Sequence, residues 1–535
     1  MARATSRNLL DAAGLTWQAG RSARHPRAND HAVRVSFVRG WRAGTAALRR
    51  RVEQLCVLCV LRVVRRGFIA AGAASTAAIV AVLGAGAATS MAAASIDAQL
   101  IEAAKQGQQA AVRTLVAQRA DVNAREVDGT TALHWAVQSD NAETAGILMR
   151  AGADVNATNR YGVTPLSLAA TNASARLVEA LLNAGADPNT ATPEGQTVLM
   201  TAARTGNPAT VALLLDRGAD VNARENWFGE TALMWAAAEN HVRVVETLID
   251  YGAAIDVRSS TLEFAKFRFN LATMVNTVLP RGSLTALMLS ARQGTLESAR
   301  VLLDRGASVD LVDPDNTTAL VMAIVNGHYD VAALLAERGA NPNIADTAGM
   351  AAVYAAVDMH TQPLMINRPT RKPSGSIENL DLLKTLLARG ADPDAGLQTP
   401  LLARYHNLGD GQLAAGATPL MRAAKSRDVA AMQMLLDAGA DPGRRAANGS
   451  TALMFAATPA RNASGAASAT AALEAIALCL DRGADVNAVN ANGQTALHLA
   501  GQAGESDPIV KLLMSRGANP ALKDKQGRTP FEPRP

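Results

Sequence analysis

The cysteine and histidine residues of this chain are spaced unlike a metal site or a catalytic centre. Cys56 and Cys59 form a CxxC pair, half of a common zinc motif, but no second pair completes it. Cys479 lies in an apolar stretch, where a buried thiol behaves as a small hydrophobic side chain. The eight histidines are scattered, and the sequence holds no HExxH motif, nucleophile elbow or phosphate-binding loop. We therefore expect no metal, no cofactor and no enzymatic activity.

A short motif recurs through most of the chain. It is a Thr, a small residue and a Leu, followed by a run rich in Ala, and its commonest spacing is 33 residues. That spacing is typical of stacked helical repeats, which bind along an extended face instead of in one pocket. A degenerate copy of the motif begins at Ala351. The other copies begin at Thr131, Thr164, Thr197, Thr231, Thr285, Thr318, Thr418, Thr451 and Thr495.

Residues 128–160 show how one repeat folds. Thr131 can cap a first helix through its hydroxyl, and the apolar residues that follow predict a buried stripe. Gly152 suits the left-handed position that ends a second helix. Asp154 and Asn156 have short polar side chains that bond to the turn backbone before the chain extends into the next repeat.

The helix-starting motif, the GADVNA segment and the 33-residue period resemble the ankyrin repeat family, and in particular exported bacterial ankyrin proteins. The resemblance covers residues 97 to 531 approximately. It implies an all-α solenoid of about eleven helix-turn-helix units with β-hairpin fingers. It also implies that the chain binds another protein, without indicating which one.

The charge of the chain is divided unevenly. Residues 1–66 contain 14 Arg and no Lys for a local net charge of +11, so the overall +5 leaves −6 for the remainder. A nucleic-acid-binding array needs a basic folded part. The sequence therefore predicts that nucleic acid is not the partner.

The start of the chain has the order of a secretory signal. Arg65 and Arg66 precede an apolar segment at 68–88, and Ala92 to Ala94 offer a small-residue cleavage site. We expect a basic extension over 1–62 that is disordered or not translated, a signal peptide or signal anchor over 63–94, and the repeat array over 95–535. This predicts a periplasmic or secreted protein. The alternative is an inner-membrane protein with its repeats outside the cytoplasm, anchored by the uncleaved 68–88 segment.

Three intervals depart from the period and predict four insertions, because one interval holds two; the insertions lie near residues 258–282, 361–376, 397–415 and 459–470. The first contains Phe267 and Phe269 among cations, and either packs onto the stack or serves as a partner-binding flap. The third contains Tyr405 and His406, which keep an enzyme or small-ligand binder open as an alternative. The last is rich in Ala, Ser and Gly and is predicted to be a flexible spacer.

The candidate partner-binding residues lie at the finger tips, after the first helices and in the first insertion. They are Tyr161, Trp227, Phe228, Arg160, Glu239, Arg292, Phe267 and Phe269. Trp135, Trp235 and Phe455 are instead predicted to pack in the core, and His134 and His498 to bond neighbouring turns. The hypothesis that follows is a scaffold that holds a partner protein on its concave face. A secreted effector acting on a host protein is the remaining alternative.

Overall fold

The computed structural model describes residues 95–262, 281–361, 374–399, 413–458 and 466–532. These residues form 22 α-helices, one 3-10 turn at Gly501–Ala503 and a two-stranded antiparallel pair, β1 Thr261–Leu262 and β2 Arg281–Gly282. The helices are α1 Ile96–Lys105, α2 Gln109–Ala117, α3 Ala132–Gln138, α4 Ala142–Arg150, α5 Pro165–Thr171, α6 Ala175–Asn183, α7 Val198–Thr205, α8 Pro208–Asp216, α9 Ala232–Ala238, α10 Val242–Asp250, α11 Ala286–Gln293, α12 Leu296–Asp304, α13 Ala319–Val325, α14 Tyr329–Glu337, α15 Ala352–Thr361, α16 Asn379–Ala388, α17 Pro419–Ser426, α18 Val429–Asp437, α19 Ala452–Ala457, α20 Ala466–Asp481, α21 Ala496–Ala500 and α22 Pro508–Ser515.

The helices are stacked in two rows. Odd-numbered helices pack on one another in succession, and so do even-numbered helices. Each odd-numbered helix also packs on the even-numbered helix that follows it. We call the odd-numbered helices the first-helix row and the loops that precede them the fingers. The predicted all-α repeat solenoid is therefore confirmed.

The recurring Thr begins each first helix by capping it. At all nine motif positions the Thr hydroxyl accepts a hydrogen bond from the backbone amide three residues later. An N-cap of this kind stabilises a helix by about 1 kcal/mol. First helices as short as Ala496–Ala500 depend on such caps, because they are too short to be stable alone.

The Asn of the GADVN segment links one repeat to the next. Asn156 Nδ2 donates to Gly185 O at 3.1 Å, and its Oδ1 accepts from Asp187 N at 2.9 Å. The expected bond within the turn also forms, from Asn156 N to Asp154 Oδ1 at 3.0 Å. At the equivalent position Asp256 accepts from Ser308 N at 3.1 Å, but a carboxylate cannot donate to the next loop.

Alanine and leucine side chains fill the space between the two rows. Leu133, with 0% of its surface exposed, is representative of the first helices. Phe455 is buried, while Trp135 and Trp235 are half-buried and pack against the core, so the packing role predicted for these three residues is confirmed. None of the helices in the described ranges is long and apolar enough to cross a membrane.

The structure corrects one predicted insertion. Residues 466–470 belong to α20 and are not part of a flexible spacer, because their Ala-rich sequence favours helix and joins the helix that buries Ala475 and Cys479. The first insertion starts and ends as the β1–β2 pair, with Thr261 opposite Gly282. Residues 1–94, which include the predicted extension and signal, lie outside the described residues, as do 263–280, 362–373, 400–412, 459–465 and 533–535.

Candidate partner-binding surface

The finger before α9 displays two aromatic side chains on a fixed backbone. Trp227 and Phe228 are 59% and 40% exposed, whereas Glu225 is buried. The Glu225 carboxylate accepts hydrogen bonds from the amides of Trp227 at 2.7 Å, Phe228 at 2.7 Å and Glu230 at 2.9 Å. A single buried carboxylate thus fixes the loop that carries both aromatic rings.

This finger is one residue longer than the first described finger. Glu126 N donates to Thr130 O, closing a loop of five residues, whereas Glu225 N donates to Glu230 O, closing a loop of six. The 34-residue interval between Thr197 and Thr231 is the sequence signal of this extra residue. The additional residue is accommodated at the tip, where Trp227 and Phe228 lie.

The preceding aromatic tip contains Arg160 and Tyr161. Arg160 Cζ lies 4.8 Å from the centre of the Tyr161 ring, and Arg160 Nη2 donates to the Tyr161 hydroxyl at 2.5 Å. Tyr161 N also donates to Asn159 Oδ1 at 3.0 Å. Tyr161 remains 56% exposed, so the cation orders the ring without covering it.

Successive tips are joined through their backbones. Arg160 N donates to Asp128 O, Asn226 N to Glu194 O, and Ser260 N to Phe228 O. Pro193 cannot continue this series, because proline has no N–H to donate to the preceding tip. The tips therefore form a connected edge, interrupted between Tyr161 and Pro193, on which Val127, Tyr161, Trp227 and Phe228 are exposed.

The structure places Glu239 and Arg292 in the first-helix row. Glu239 is the exposed C-cap of α9, and Arg292 is an exposed residue in the last turn of α11. Although the Arg292 side chain is exposed, the protein around it partly desolvates the guanidinium and lowers its pKa, while the charge of Glu230 opposes that shift. No hydrogen bond or ion pair joins Glu239 or Arg292 to the aromatic tips within the described ranges. Phe267, Phe269, Tyr405 and His406 lie outside the described residues.

Two imidazoles fix the backbone of the first-helix row. His241 Nε2 is 3.0 Å from Arg204 O, and His328 Nε2 is 3.1 Å from Arg292 O. Gly206 allows the first of these contacts. A Cβ at this position, where φ is 79°, would occupy the space that the His241 ring fills. The C-terminal ends of α7 and α11 are therefore held in place by the following repeat.

The predicted role of His134 and His498 in bonding neighbouring turns is confirmed. His134 Nδ1 lies 2.8 Å from Thr131 Oγ1, and Nε2 lies 3.0 Å from Val163 O in the next finger. His498 repeats this arrangement with Thr495 and Arg528 O. Burial lowers the pKa of His134, although the Val163 carbonyl opposes the shift. Across the described ranges no three His, Cys, Asp or Glu side chains are grouped as metal ligands would be.

Sequence reasoning missed a polar cluster between α15 and α17. Arg422 Nε donates to Asp358 Oδ1 at 2.7 Å, and both side chains are nearly closed to water. Close by in sequence, His360 Nδ1 bonds the carboxylate of Asp428, which caps α18. The available signal was Arg422 itself, since it stands four residues after the motif Thr, where most other repeats carry an apolar side chain.

The comparisons with known families agree with this architecture. A model of three ankyrin repeats matches residues 100–192, 166–259, 265–346 and 463–532, and a single ankyrin repeat model matches 415–446. The three-repeat model alone matches more than half of the chain. A search of curated proteins gave no match. Ankyrin repeats are generally protein–protein interaction modules. On this evidence the chain belongs to the ankyrin repeat family.

Proposed function

We propose that this protein is an interaction scaffold that binds a partner protein across its finger tips and first-helix row, the face that we expect to be concave. One observation carries the proposal: the buried Glu225 carboxylate fixes the backbone of a loop on which Trp227 and Phe228 are exposed. A soluble fold gains little from exposing two adjacent large aromatic side chains. Trp and Tyr are the side chains that most often dominate the energy of protein–protein interfaces.

The rigid backbone of the tip favours tight binding. Association costs free energy for each loop and side chain that must be ordered, and a loop already fixed in the free protein avoids part of that cost. The three amide bonds to Glu225 and the bond from Ser260 N to Phe228 O fix this tip before any partner arrives. The tip therefore has the properties of an interface anchor.

Site-specific photocrosslinking tests this proposal. A benzophenone side chain replaces Tyr161 or Trp227 in the full chain, and a matched variant carries it at Lys384, which is exposed on α16 in the row of even-numbered helices. We expect the same single crosslinked partner from positions 161 and 227 and none from position 384. Equal crosslinking at all three positions, or none at 161 and 227, would exclude binding across the tips.

We also propose that the chain is exported, with residues 63–94 as the signal. The order of basic, apolar and small-residue segments supports this. Fusing residues 63–96 to a reporter that is active only outside the cytoplasm tests the proposal. Reporter activity is expected, and its absence would contradict export. Arg65 and Arg66 also resemble the twin-arginine export motif. Activity that persists when both are changed to Lys would exclude the twin-arginine route.

A further inference from the structure

Near its N-terminal end the array contains a complete binding arrangement for one carboxylate. Lys105 Nζ lies 4.3 Å from the centre of the Trp135 ring. Glu126 joins the two, because its Oε2 accepts from Trp135 Nε1 at 2.8 Å while its Oε1 lies 3.8 Å from Lys105 Nζ. A cation stacked on an indole, with the indole N–H beside it, thus binds the carboxylate through charge and through a hydrogen bond.

A cation over an indole recurs three repeats later, with Arg in place of Lys and without the carboxylate. Arg204 Cζ lies 5.2 Å from the centre of the Trp235 ring. Trp235 stands four residues after Thr231, as Trp135 does after Thr131, and each cation is at the end of the preceding first helix. In contrast with Trp135, the buried Trp235 Nε1 has no hydrogen-bond partner. The described acids form no ion pair with the exposed Arg204.

The missing carboxylate has a structural reason. Glu225 corresponds to Glu126, since each donates its amide to the carbonyl that closes its finger. The longer finger of Glu225 turns its carboxylate toward the amides of Trp227, Phe228 and Glu230. Glu126 fills the site beside Trp135, whereas its counterpart Glu225 binds the backbone of the aromatic tip and leaves the site beside Trp235 without a carboxylate.

We propose that Arg204 and Trp235 form a binding site for a single carboxylate of a partner protein, in a segment whose neighbouring apolar residues contact Trp227 and Phe228. This inference rests on the proposed function and specifies the chemistry of the partner. Arg204 is a long, exposed side chain, so it can move from above the ring to pair with the incoming group. The carboxylate then takes the place beside Trp235 Nε1 that Glu126 takes beside Trp135.

The charges around the site favour one acidic side chain over a polyanion. Glu239 is exposed at the end of α9, the helix that carries Trp235, and would repel a run of negative charge. Glu230 also lies near enough to act on Arg292, the next cation of the row. Nucleic acid requires neutralisation of several phosphates by neighbouring cations, which this part of the row does not provide.

The indole resonances of the full chain give a direct test that needs no identified partner. The chain has five Trp, so a spectrum with ¹⁵N-labelled indoles is simple to assign by substitution. N-acetylglutamate amide is the probe, and N-acetylglutamine amide is its neutral match. We expect the glutamate probe to shift the Trp235 indole resonance saturably, with the glutamine probe at least tenfold weaker. The Trp135 resonance should stay in place, because Glu126 occupies its site.

Two substitutions sharpen this test. Arg204→Met should weaken the Trp235 response at least tenfold while the other indole resonances report an intact fold. Glu126→Gln should open the first site, so that Trp135 begins to respond to the glutamate probe. An unmoved Trp235 resonance, or equal responses to both probes, would overturn the proposal, as would tighter binding of a single-stranded oligonucleotide at this site. Crosslinking at Trp227 is independent of this outcome and tests the scaffold function separately.

Discussion

Arg422 Nε lies 2.7 Å from Asp358 Oδ1 across the contact between α15 and α17, in an ion pair nearly closed to water. Arg422 Nη1 also donates to Ser426 Oγ at 2.8 Å. Arg422 takes a position that is apolar in most repeats, and Ala355, the residue at that position in the preceding repeat, is small. The ion pair therefore replaces apolar packing at one step of the stack.

We predict that Arg422→Met destabilises this part of the array by about 3 kcal/mol, because it leaves the Asp358 carboxylate buried without its cation. Hydrogen exchange of the amides in α15 and α17 measures the local free energy of opening. The double change Asp358→Leu with Arg422→Met should recover most of the loss, since two apolar side chains need no charge partner. A double variant as unstable as Arg422→Met alone would contradict this explanation.

Gly206 is predicted to tolerate a side chain poorly because of His241. A Cβ at Gly206 would lie 2.5 Å from His241 Cε1, whereas a Cβ at Gly218 would meet no atom within 4 Å, although both glycines have positive φ. Gly218→Ala should therefore cost about 1 kcal/mol from backbone strain, and Gly206→Ala about 2 kcal/mol or more. Urea denaturation measures both free energies.

A double-mutant cycle separates the steric part of this cost from backbone strain. In a His241→Ala background, Gly206→Ala should cost no more than Gly218→Ala, because the clashing ring is gone. If the cost of Gly206→Ala were unchanged in that background, the contact with His241 would not be its cause.

Glu225→Gln should loosen the aromatic tip while leaving the helices intact. The amide NH₂ of Gln cannot accept, so at least one of the bonds from Trp227, Phe228 and Glu230 is lost, at a cost of about 1–3 kcal/mol. Faster hydrogen exchange of these three amides is the expected result. Glu179→Gln, an equal change at an exposed position of α6, which lies outside the first-helix row, should leave them unaffected. Partner binding should weaken only in the first variant, although Trp227 and Phe228 are present in both.

The fold could be predicted from the sequence because each repeat carries its own helix-start and helix-end signals. A Thr that caps, a Leu that is buried and a Gly that ends the second helix act within one repeat, so their spacing suffices. The exposure of Trp227 and Phe228 was also accessible, since two adjacent rings on a short loop cannot both face the core. The contact between Arg204 and Trp235 could not be predicted from the sequence, because it joins side chains of different repeats. The direction of the Glu225 carboxylate could not be predicted either, because it depends on one extra residue in its finger.

The ion pair of His360 with Asp428 should make stability depend on pH. The hydrogen bond with Asp428 raises the pKa of His360, although burial opposes the shift. A raised folded-state pKa means that the pair stabilises the array fully below the unfolded value of about 6.5, and that this contribution is lost as pH rises through the folded value. Burial raises the pKa of Asp428, but the bonds from His360 and Ala431 N outweigh it, so the net shift is downward.

We predict that wild type is more stable than His360→Gln by about 0.5–1 kcal/mol at pH 5.5, where His360 is charged and pairs with Asp428. The gain is this small because the His360 side chain is 33% exposed and water screens the pair. The difference should shrink as pH rises above 6.5 and be small at pH 9. Urea denaturation of both proteins at each pH gives the difference directly, and it cancels the titration of all other groups. The pH dependence of stability that His134 causes should have the opposite sign. Burial lowers the pKa of His134, so its contribution to stability is lost as pH falls. A wild-type advantage that grew with pH would show that His360 acts through its neutral form.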